Sequence, residues 1–460
     1  MMDAKITVEI IFLITCIVTI YLILRRPYFY IRLGARNVKI DTYLLGVLVG
    51  PVLIVILGVL NYSQILRGLQ GEGGLNPFGV LVLFLSIVFM GIFLDITGFF
   101  EYCAQLAIKF AGNDGRKLYF SLYIIISVLT IFASNDIIIL TFTPFIYYFS
   151  KNVGIDPKPY LIAEFFAANT WSMMLYIGNP TNIVLATAFN LRFDEYLIWM
   201  FLPSIAAGIT NMMLLYFIFR KKICQPISIV KKINPLEAIT DKLGAFLGLA
   251  ILCGFLIALA IGPYFGIQMW TISIVFALAL LIILLLRDSF TAIMRKNIEK
   301  KHFSVGLTLK KMPIGIIPFV LALFITVEAL RVYGITEDIG IFFKNICGSS
   351  NTAYIYVYGM TSAFSSNLLN NIPLAVAYVP IASTVSQAHV LPAVLATAVG
   401  SNLGANITPI GALAGIMWIS ILRNKGVKIS FKEFVKYGLI VTPITLAVCL
   451  GILALEFMIF

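Results

Sequence analysis

Apolar residues run in blocks of about 20 along nearly the whole chain, the length a helix needs to cross the hydrocarbon core of a bilayer. Uninterrupted blocks lie at 6–24, 42–60, 77–98, 196–219, 243–261, 267–286, 313–333 and 435–458. Two more, 159–190 and 391–422, are apolar but broken in the middle. The first carries Ile177-Gly178-Asn179-Pro180-Thr181-Asn182, the second Gly400-Ser401-Asn402-Leu403-Gly404-Ala405-Asn406-Ile407-Thr408-Pro409. Gly, Pro and Asn in that density do not hold a helix together in hydrocarbon. Freed backbone groups are tolerated at that depth only where protein or a water-filled cavity surrounds them. Interrupted spans in corresponding halves of a chain point to a transporter's binding site. Two further stretches, 118–150 and 353–386, are split at their centres by Ser134-Asn135-Asp136 and by Ser365-Ser366-Asn367 with Asn370-Asn371. Each predicts either one long span or a hairpin that enters the membrane and returns.

The basic residues choose between these. With the N-terminus outside and each split stretch a re-entrant hairpin, only Lys5, Arg67, Arg192, Arg331 and Lys344 of the 33 Lys and Arg residues fall outside. Reading one hairpin as a single crossing inverts everything downstream and spoils that asymmetry, so the positive-inside rule favours two hairpins. The expectation is an all-α, multi-pass protein of the plasma (inner) membrane, with about ten crossings, two hairpins and both termini outside. A first span and basic cytoplasmic loop occupy 1–41. A first repeat spans 42–219, with hairpin 118–150 and broken helix 159–190. A cytoplasmic linker and connecting span occupy 220–266. A second repeat of opposite topology spans 267–460, with hairpin 353–386 and broken helix 391–422. Amphipathic pieces at 101–112 and 335–348 correspond, and Asn135 precedes Pro144 by the same interval as Asn371 precedes Pro380. Inverted repeats of this kind are the layout of a secondary transporter.

Composition agrees: 60% of residues are hydrophobic, 12% charged, and mean hydropathy is +1.00, far from a soluble domain's roughly 25% charge. The net charge of +12 sits between spans, where it sets orientation and meets anionic lipid rather than nucleic acid. No Gly-rich phosphate loop occurs, so energy would come from an ion gradient, the membrane potential or a separate ATPase subunit. The six cysteines form no CxxC or Cys/His cluster, and His302 and His389 read as solvated, so neither a metal nor a cofactor is expected. No nucleophile–base pair suggests an enzyme. A homodimer through 243–261 and the outer spans is compatible with the pattern.

The candidate binding set is neutral and polar. The hairpin tips supply Ser134, Asn135, Asn370 and Asn371; the breaks supply Asn179, Thr181, Asn182, Ser401, Asn402, Asn406 and Thr408. One such Asn could simply cap a half-helix, but polar groups at membrane depth are expensive and, as a set, point to function. Four carboxylates lie in apolar segments. Asp136 occupies a tip and is the first candidate for proton coupling. Asp95 and Glu328 lie late in corresponding spans, as coupling residues or as solvated interfacial ones. Glu164 follows Lys158 closely and reads as structural.

Several of these motifs resemble the arsenite efflux permeases, the arsenical pump membrane protein family of the ion transporter superfamily. The likeness lies in Leu94-Asp95-Ile96-Thr97-Gly98-Phe99-Phe100-Glu101 with Asn113-Asp114-Gly115-Arg116. It continues in Phe132-Ala133-Ser134-Asn135-Asp136, Asn370-Asn371-Ile372-Pro373 and Gly400 to Leu413. The resemblance implies a carrier that expels trivalent arsenic or antimony hydroxide in exchange for protons, alone or with a soluble ATPase partner. The neutral hydroxide offers three hydroxyls, which suit Asn, Ser and Thr side chains. The chain departs from the family pattern at Ile96, where an acidic residue is expected, at Asn402, where Asp is expected, and at Ala405-Asn406, where Pro-Lys is expected. The same fold also serves sodium/proton antiporters and sodium-coupled dicarboxylate carriers. An antiporter should bring two carboxylates to the crossing, where only Asp136 stands. A dicarboxylate carrier should show Ser-Asn-Thr at both tips and a compensating cation. Replacing all six cysteines is expected to leave arsenite transport in everted vesicles intact, and loss of export would argue for thiol ligation.

Overall fold

The structure is a computed structural model of the chain and describes residues 2–25, 28–33, 36–71, 76–227, 234–294 and 304–460. Helix α1 (Met2–Arg25) leads into a β-hairpin, β1 (Tyr28–Leu33) paired antiparallel with β2 (Arg36–Asp41), which hydropathy had left as a loop. The predicted span 42–60 stops short as α2 (Thr42–Ile56), and a separate polar helix α3 (Tyr62–Gln70) follows it. The cause is local: Asn61 and Gln64 form a capping box that starts a new helix, satisfying two orphan donors reciprocally. The central helix α4 (Pro77–Ile96) is almost wholly buried. It turns through left-handed Gly98 (φ 84°) into amphipathic α5 (Phe99–Ala111).

The first hairpin is α6 (Gly115–Phe132), capped by Asp114, and α7 (Asn135–Val153), capped by Ser134. The first broken segment is α8 (Lys158–Trp171), a non-helical stretch 172–175 with a 3-10 turn Tyr176–Gly178, and α9 (Pro180–Ala188). Helix α10 (Phe193–Ile223) follows. Across the linker, the order continues with α11 (Lys242–Ile261), α12 (Met269–Met294), α13 (Ser304–Lys311), α14 (Ile316–Val332) and amphipathic α15 (Ile335–Cys347). The second hairpin is α16 (Asn351–Leu369) and α17 (Asn371–Ala382). The second broken segment is α18 (Gln387–Gly404) and α19 (Leu413–Asn424), and α20 (Phe431–Ile459) closes the chain. Among the described residues, eight helices are long and apolar enough to cross a membrane. The pieces flanking the breaks are mostly shorter, since Pro180 and residues 405–412 stop regular hydrogen bonding.

Packing follows a reciprocal scheme. Helix α7 lies against α19, and α9 against α17; α4 packs on α12, and α14 on α2. Helices α16 and α18 approach most closely, because Gly400 faces the Gly359 carbonyl, where a side chain would stand 2.1 Å from that oxygen. Small residues of this kind let helix backbones meet in membranes. The ion pairs Lys158–Glu433, Lys222–Asp156, Arg287–Asp241 and Lys311–Asp95 join residues that charge sorting puts on one face. Lys5–Asp338, Arg192–Asp194 and Arg331–Glu328 do so on the other. In the α7–α8 loop, burial pushes the Asp156 carboxyl up. The hydrogen bonds from Lys222 and the Lys158 amide outweigh this and hold it below the usual carboxylate range.

The linker is stitched to the α4–α5 corner. Thr240 N donates to Thr97 O at 3.0 Å, and the 3-10 turn Pro235–Ala238 packs on α5. A Cβ at Gly98 would lie 1.9 Å from Ala238 O. Gly98→Ala therefore meets both a left-handed φ and a backbone clash, and should lower stability in detergent by about 2 kcal/mol or more. Gly112→Ala has a positive φ but open space around it, and should cost about 1 kcal/mol. Thermal unfolding of the two variants measures the difference.

Candidate functional site

The two breaks meet, and the junction is made of amides. Asn402, one turn before the end of α18, accepts from Asn179 Nδ2 at 2.8 Å and from Ser172 Oγ at 3.0 Å. Its own Nδ2 donates to Asn182 Oδ1 at 2.6 Å and to Ala398 O at 2.7 Å. Asn182 also donates to Ser172 O at 2.9 Å, satisfying a carbonyl released by the first break. Asn179 caps α9 by accepting from Thr181 N. All five of these polar side chains are fully buried. Broken backbone inside a membrane protein needs such partners, because no water competes for it.

A second strand of the network ties the first hairpin to the second break. Asn135 at the tip donates to Asn169 at 3.0 Å, and Asn169 donates to Asn406 at 3.1 Å. Asn406 reaches Thr170, which also accepts from Asn211 at 3.3 Å, and Asn211 accepts from Tyr123. The second hairpin is tied to the same break from its other side. Asn367 Oδ1 accepts from the amide and hydroxyl of Thr408 at 2.9 and 2.7 Å, and Asn367 Nδ2 donates to Gly404 O. Asn370 Nδ2 donates to Ile410 O at 3.1 Å, and Asn371 N donates to Gly411 O at 2.9 Å. Asn370 holds φ at 70° and ψ at 154°, a region left almost entirely to glycine, so the tip of the second hairpin carries backbone strain.

Most of the predicted polar set is thus brought together, with two exceptions. Ser401 bonds back to Ala398 O within its own helix, and Ser134 caps α7. Asn169, Thr170, Ser172, Asn211 and Tyr123 were missed. The polar run directly before the first break, 169–172, was the available signal for three of them. Several acceptors at the junction remain unpartnered and buried: Thr181 Oγ1, Asn370 Oδ1 and Asn371 Oδ1.

The carboxylates separate into two kinds. Asp95 accepts from Thr141 at 2.8 Å and pairs with Lys311 at 2.9 Å. Glu328 is gripped by Arg331 at 2.8 and 2.9 Å. These two sit near the C-terminal ends of α4 and α14, each with a cation. Asp136 is buried on the first turn of α7, and its carboxyl has no hydrogen bond or ion pair among the described residues. Glu164 is not the interfacial partner of Lys158, which pairs with Glu433 instead. It is fully buried and accepts from Thr143 Oγ1 at 2.7 Å. His389 is not freely solvated: it is half-buried, stacked on Tyr354 and bonded to Asn351. His302 lies outside the described residues.

Three spaces border the two hairpins. A cleft of about 850 Å³ opens between α4, α5 and α7, lined by Asp95, Thr141, Phe142, Phe145 and Lys311. A second, of about 730 Å³ and more apolar, opens among α1, α15, α16 and α17, lined by Phe12, Leu330, Phe343, Phe364 and Tyr378. Beside the second tip, Thr15, Cys16, Thr19, Asn367 and Asn370 line a cavity of about 30 Å³. Cys16 is therefore near a tip, although no cysteine stands at the breaks.

Buried, amide-lined helix breaks at the centre of a multi-pass helical protein are the architecture of an integral membrane transporter. A solved relative in shape, the YdaH transporter of Alcanivorax borkumensis, whose topology its report calls unusual, superposes with a TM-score of 0.55 over 98% of each chain at 11% identity. That likeness shows the fold. In sequence, the arsenical pump membrane protein family matches residues 10–456, and the chain belongs to that family. It is 29% identical over 379 residues to the arsenical pump membrane protein of Escherichia coli K12, covering 81% of this chain and 85% of that one. It is 27% identical over 384 residues to the arsenical pump membrane protein of Yersinia enterocolitica, with the same coverages. A transporter of Mycobacterium tuberculosis described as uncharacterized is 26% identical over 398 residues, covering 85% and 88%.

Asn402→Leu should strand Asn182, Asn179 and Ser172 in the interior, at about 1–3 kcal/mol for each group left unpaired. The measurable result is a sharply lower unfolding temperature in detergent. Asn402→Asp keeps the acceptors but loses both donors, and should fall between the two.

Proposed function

We propose that the chain exports trivalent arsenic or antimony hydroxide across the plasma membrane in exchange for protons, by alternating access. The observation that carries this reading is the neutral, acceptor-rich junction of the two breaks and two tips. Arsenous acid is uncharged near neutral pH and presents three hydroxyl donors. Thr181 Oγ1, Asn370 Oδ1 and Asn371 Oδ1 are buried acceptors without donors, and such groups favour a ligand that can supply them. Neither tips nor breaks offer the cation that a dicarboxylate would need.

In this reading the two runs of helices, α1 to α10 and α11 to α20, are inverted repeats, and the hairpins are re-entrant. Its support is the reciprocal packing of α7 on α19 and α9 on α17, and the two large clefts bounded by α5 with α7 and by α15 with α17. Each cleft leads from one face toward one hairpin. The repeats then begin earlier than hydropathy suggested, with 6–24 and 243–261 as equivalent first spans rather than extras. Both termini lie outside in this orientation, following the distribution of Lys and Arg.

The mechanism follows from what the amides do. With Asn402 bonded to Asn179, Asn182 and Ser172, the junction is shut. Cargo hydroxyls replace these amide-to-amide bonds one for one, so the halves separate without leaving unpaired groups in hydrocarbon. Asp136, at the tip of the first hairpin and free of any cation, takes up the exchanged proton. Asp95 and Glu328 keep charged partners at the two faces and serve as end-clamps on α4 and α14.

Asp136→Asn should reduce pH-gradient-driven uptake of As(III) into everted vesicles by at least about 100-fold, as for loss of an acid–base group, while the protein still inserts. Uptake at the wild-type level would remove Asp136 from its role. Side-by-side uptake of As(III), Sb(III), Na+ and succinate by the wild-type protein tests the substrate, and preference for Na+ or succinate would overturn it.

A further inference from the structure

Glu164 is one of two buried glutamates, with Glu456 of α20, whose Oε2 has no hydrogen-bond partner among the described residues. It lies on α8, fully buried, with Oε1 accepting from Thr143 and Oε2 without any hydrogen-bond partner. The indole N–H of Trp418 on α19 is directed at this carboxyl, without closing a hydrogen bond of normal geometry among the described residues. The surroundings are aromatic: Phe165 packs on Trp418 at 5.2 Å and on Phe434 at 5.2 Å between ring centres. An ionised carboxylate in such a place costs several kcal/mol unless it is paired.

Among the described residues, no charge is at hand to pair it. On α8 itself, Lys158 is held by Glu433 of α20 at 3.1 Å. On α10, Lys222 is held by Asp156. On α6, Tyr119 donates to Met212 O, and Tyr123 to Gly208 O and Asn211. The buried stretches of α18 and α19 carry no titratable side chain, and the charged Arg423 of α19 is exposed at the helix end. On α7, Tyr148 and Lys151 are exposed and Tyr147 is half-buried; Asp136 lies seven residues before Thr143 and so on the same helical face, about 10 Å along the axis. Seven residues further on, that face carries Ser150, whose buried hydroxyl also has no partner.

We propose that Glu164 is a second intramembrane proton site, protonated in the closed arrangement and discharged when the α7–α19 seam opens. The argument is geometric. Thr143 presents its hydroxyl to Glu164, while its neighbours Phe142 and Phe145 line the 850 Å³ cleft. A single helix, the returning arm of the first hairpin, therefore separates Glu164 from the cleft. Helix α7 packs on both α8 and α19, so a shift of that arm bares the carboxyl. In that step the O–H bond of the acid breaks, the proton passes to water in the opened cleft, and the carboxylate left behind is solvated. Reclosure requires the reverse. A purely structural acceptor for Thr143 would be served equally by a neutral amide, which carries no burial cost of a charge. This inference rests on the carrier reading for its role in coupling, but protonation of Glu164 does not.

Infrared difference spectra of the purified full-length protein in lipid, taken across a pH titration, test it directly. Wild type should show a buried-carboxylic-acid C=O band that titrates. Glu164→Gln should lose that component, Thr143→Val should shift its midpoint, and Ser204→Ala, at a buried hydroxyl on α10, should leave it in place. A Glu164→Gln spectrum that keeps every titrating carboxyl component overturns the proposal, provided circular dichroism shows the variant folded; Thr143→Val without any shift overturns it also. In vesicles, protons moved per As(III) should drop about two-fold in Glu164→Gln if two sites share the coupling. Wild-type vesicles that show no proton-linked As(III) movement would sink the exporter reading and leave the infrared result standing, so the two failures are distinct.

Discussion

Hydrocarbon leaves no peptide group unanswered, and this protein breaks two helices inside it. Everything near the centre follows from that constraint. Residues 172–179 and 405–412 release carbonyls and amides that an intact helix would pair, and the side chains placed there return partners to them. Asn182 answers Ser172 O, Asn367 answers Gly404 O, and Asn370 answers Ile410 O. Where each half cannot satisfy itself, the other does so, through Asn402 and Asn406. The same bonds that satisfy the breaks therefore bind the halves together.

That double duty explains why Asn402 is an amide. It donates twice and accepts twice. A carboxylate could accept from Asn179 and Ser172 but could not donate to Asn182 or Ala398 O. The departure from the acidic residue of the family pattern thus goes with a neutral, self-satisfied crossing. The buried carboxyls nearest to it stand on α7 and α8, at Asp136 and Glu164.

Much of this was legible in the residues. Hydropathy found the long spans, Gly, Pro and Asn marked both breaks, and the distribution of Lys and Arg grouped charges that the ion pairs then join face by face. The misses have physical causes. Sequence does not say which way a lone Asn in an apolar run points, so Asn169 and Asn211 were indistinguishable from lipid-facing exceptions. Glu164 was tied to Lys158 by closeness along the chain, but six residues place two side chains on different faces of a helix, and Lys158 reaches α20 instead. The capping box at Asn61 and Gln64 was too local to show in a hydropathy window that ran to residue 60. The β-hairpin 28–41 is short, and its strands lack the apolar alternation that would have announced them.

The linker corner has a mechanical consequence. Backbone bonds from Thr240 and Asp241 to Thr97 clip the joining segment onto the turn at Gly98, and the Asp241 side chain caps α11 immediately afterwards by accepting from Gly244 N. The start of the second ten helices is thereby pinned at one edge of the first ten, not slung loosely between them. Any displacement of the second ten helices against the first ten would be smallest at that clip and grow with distance from it.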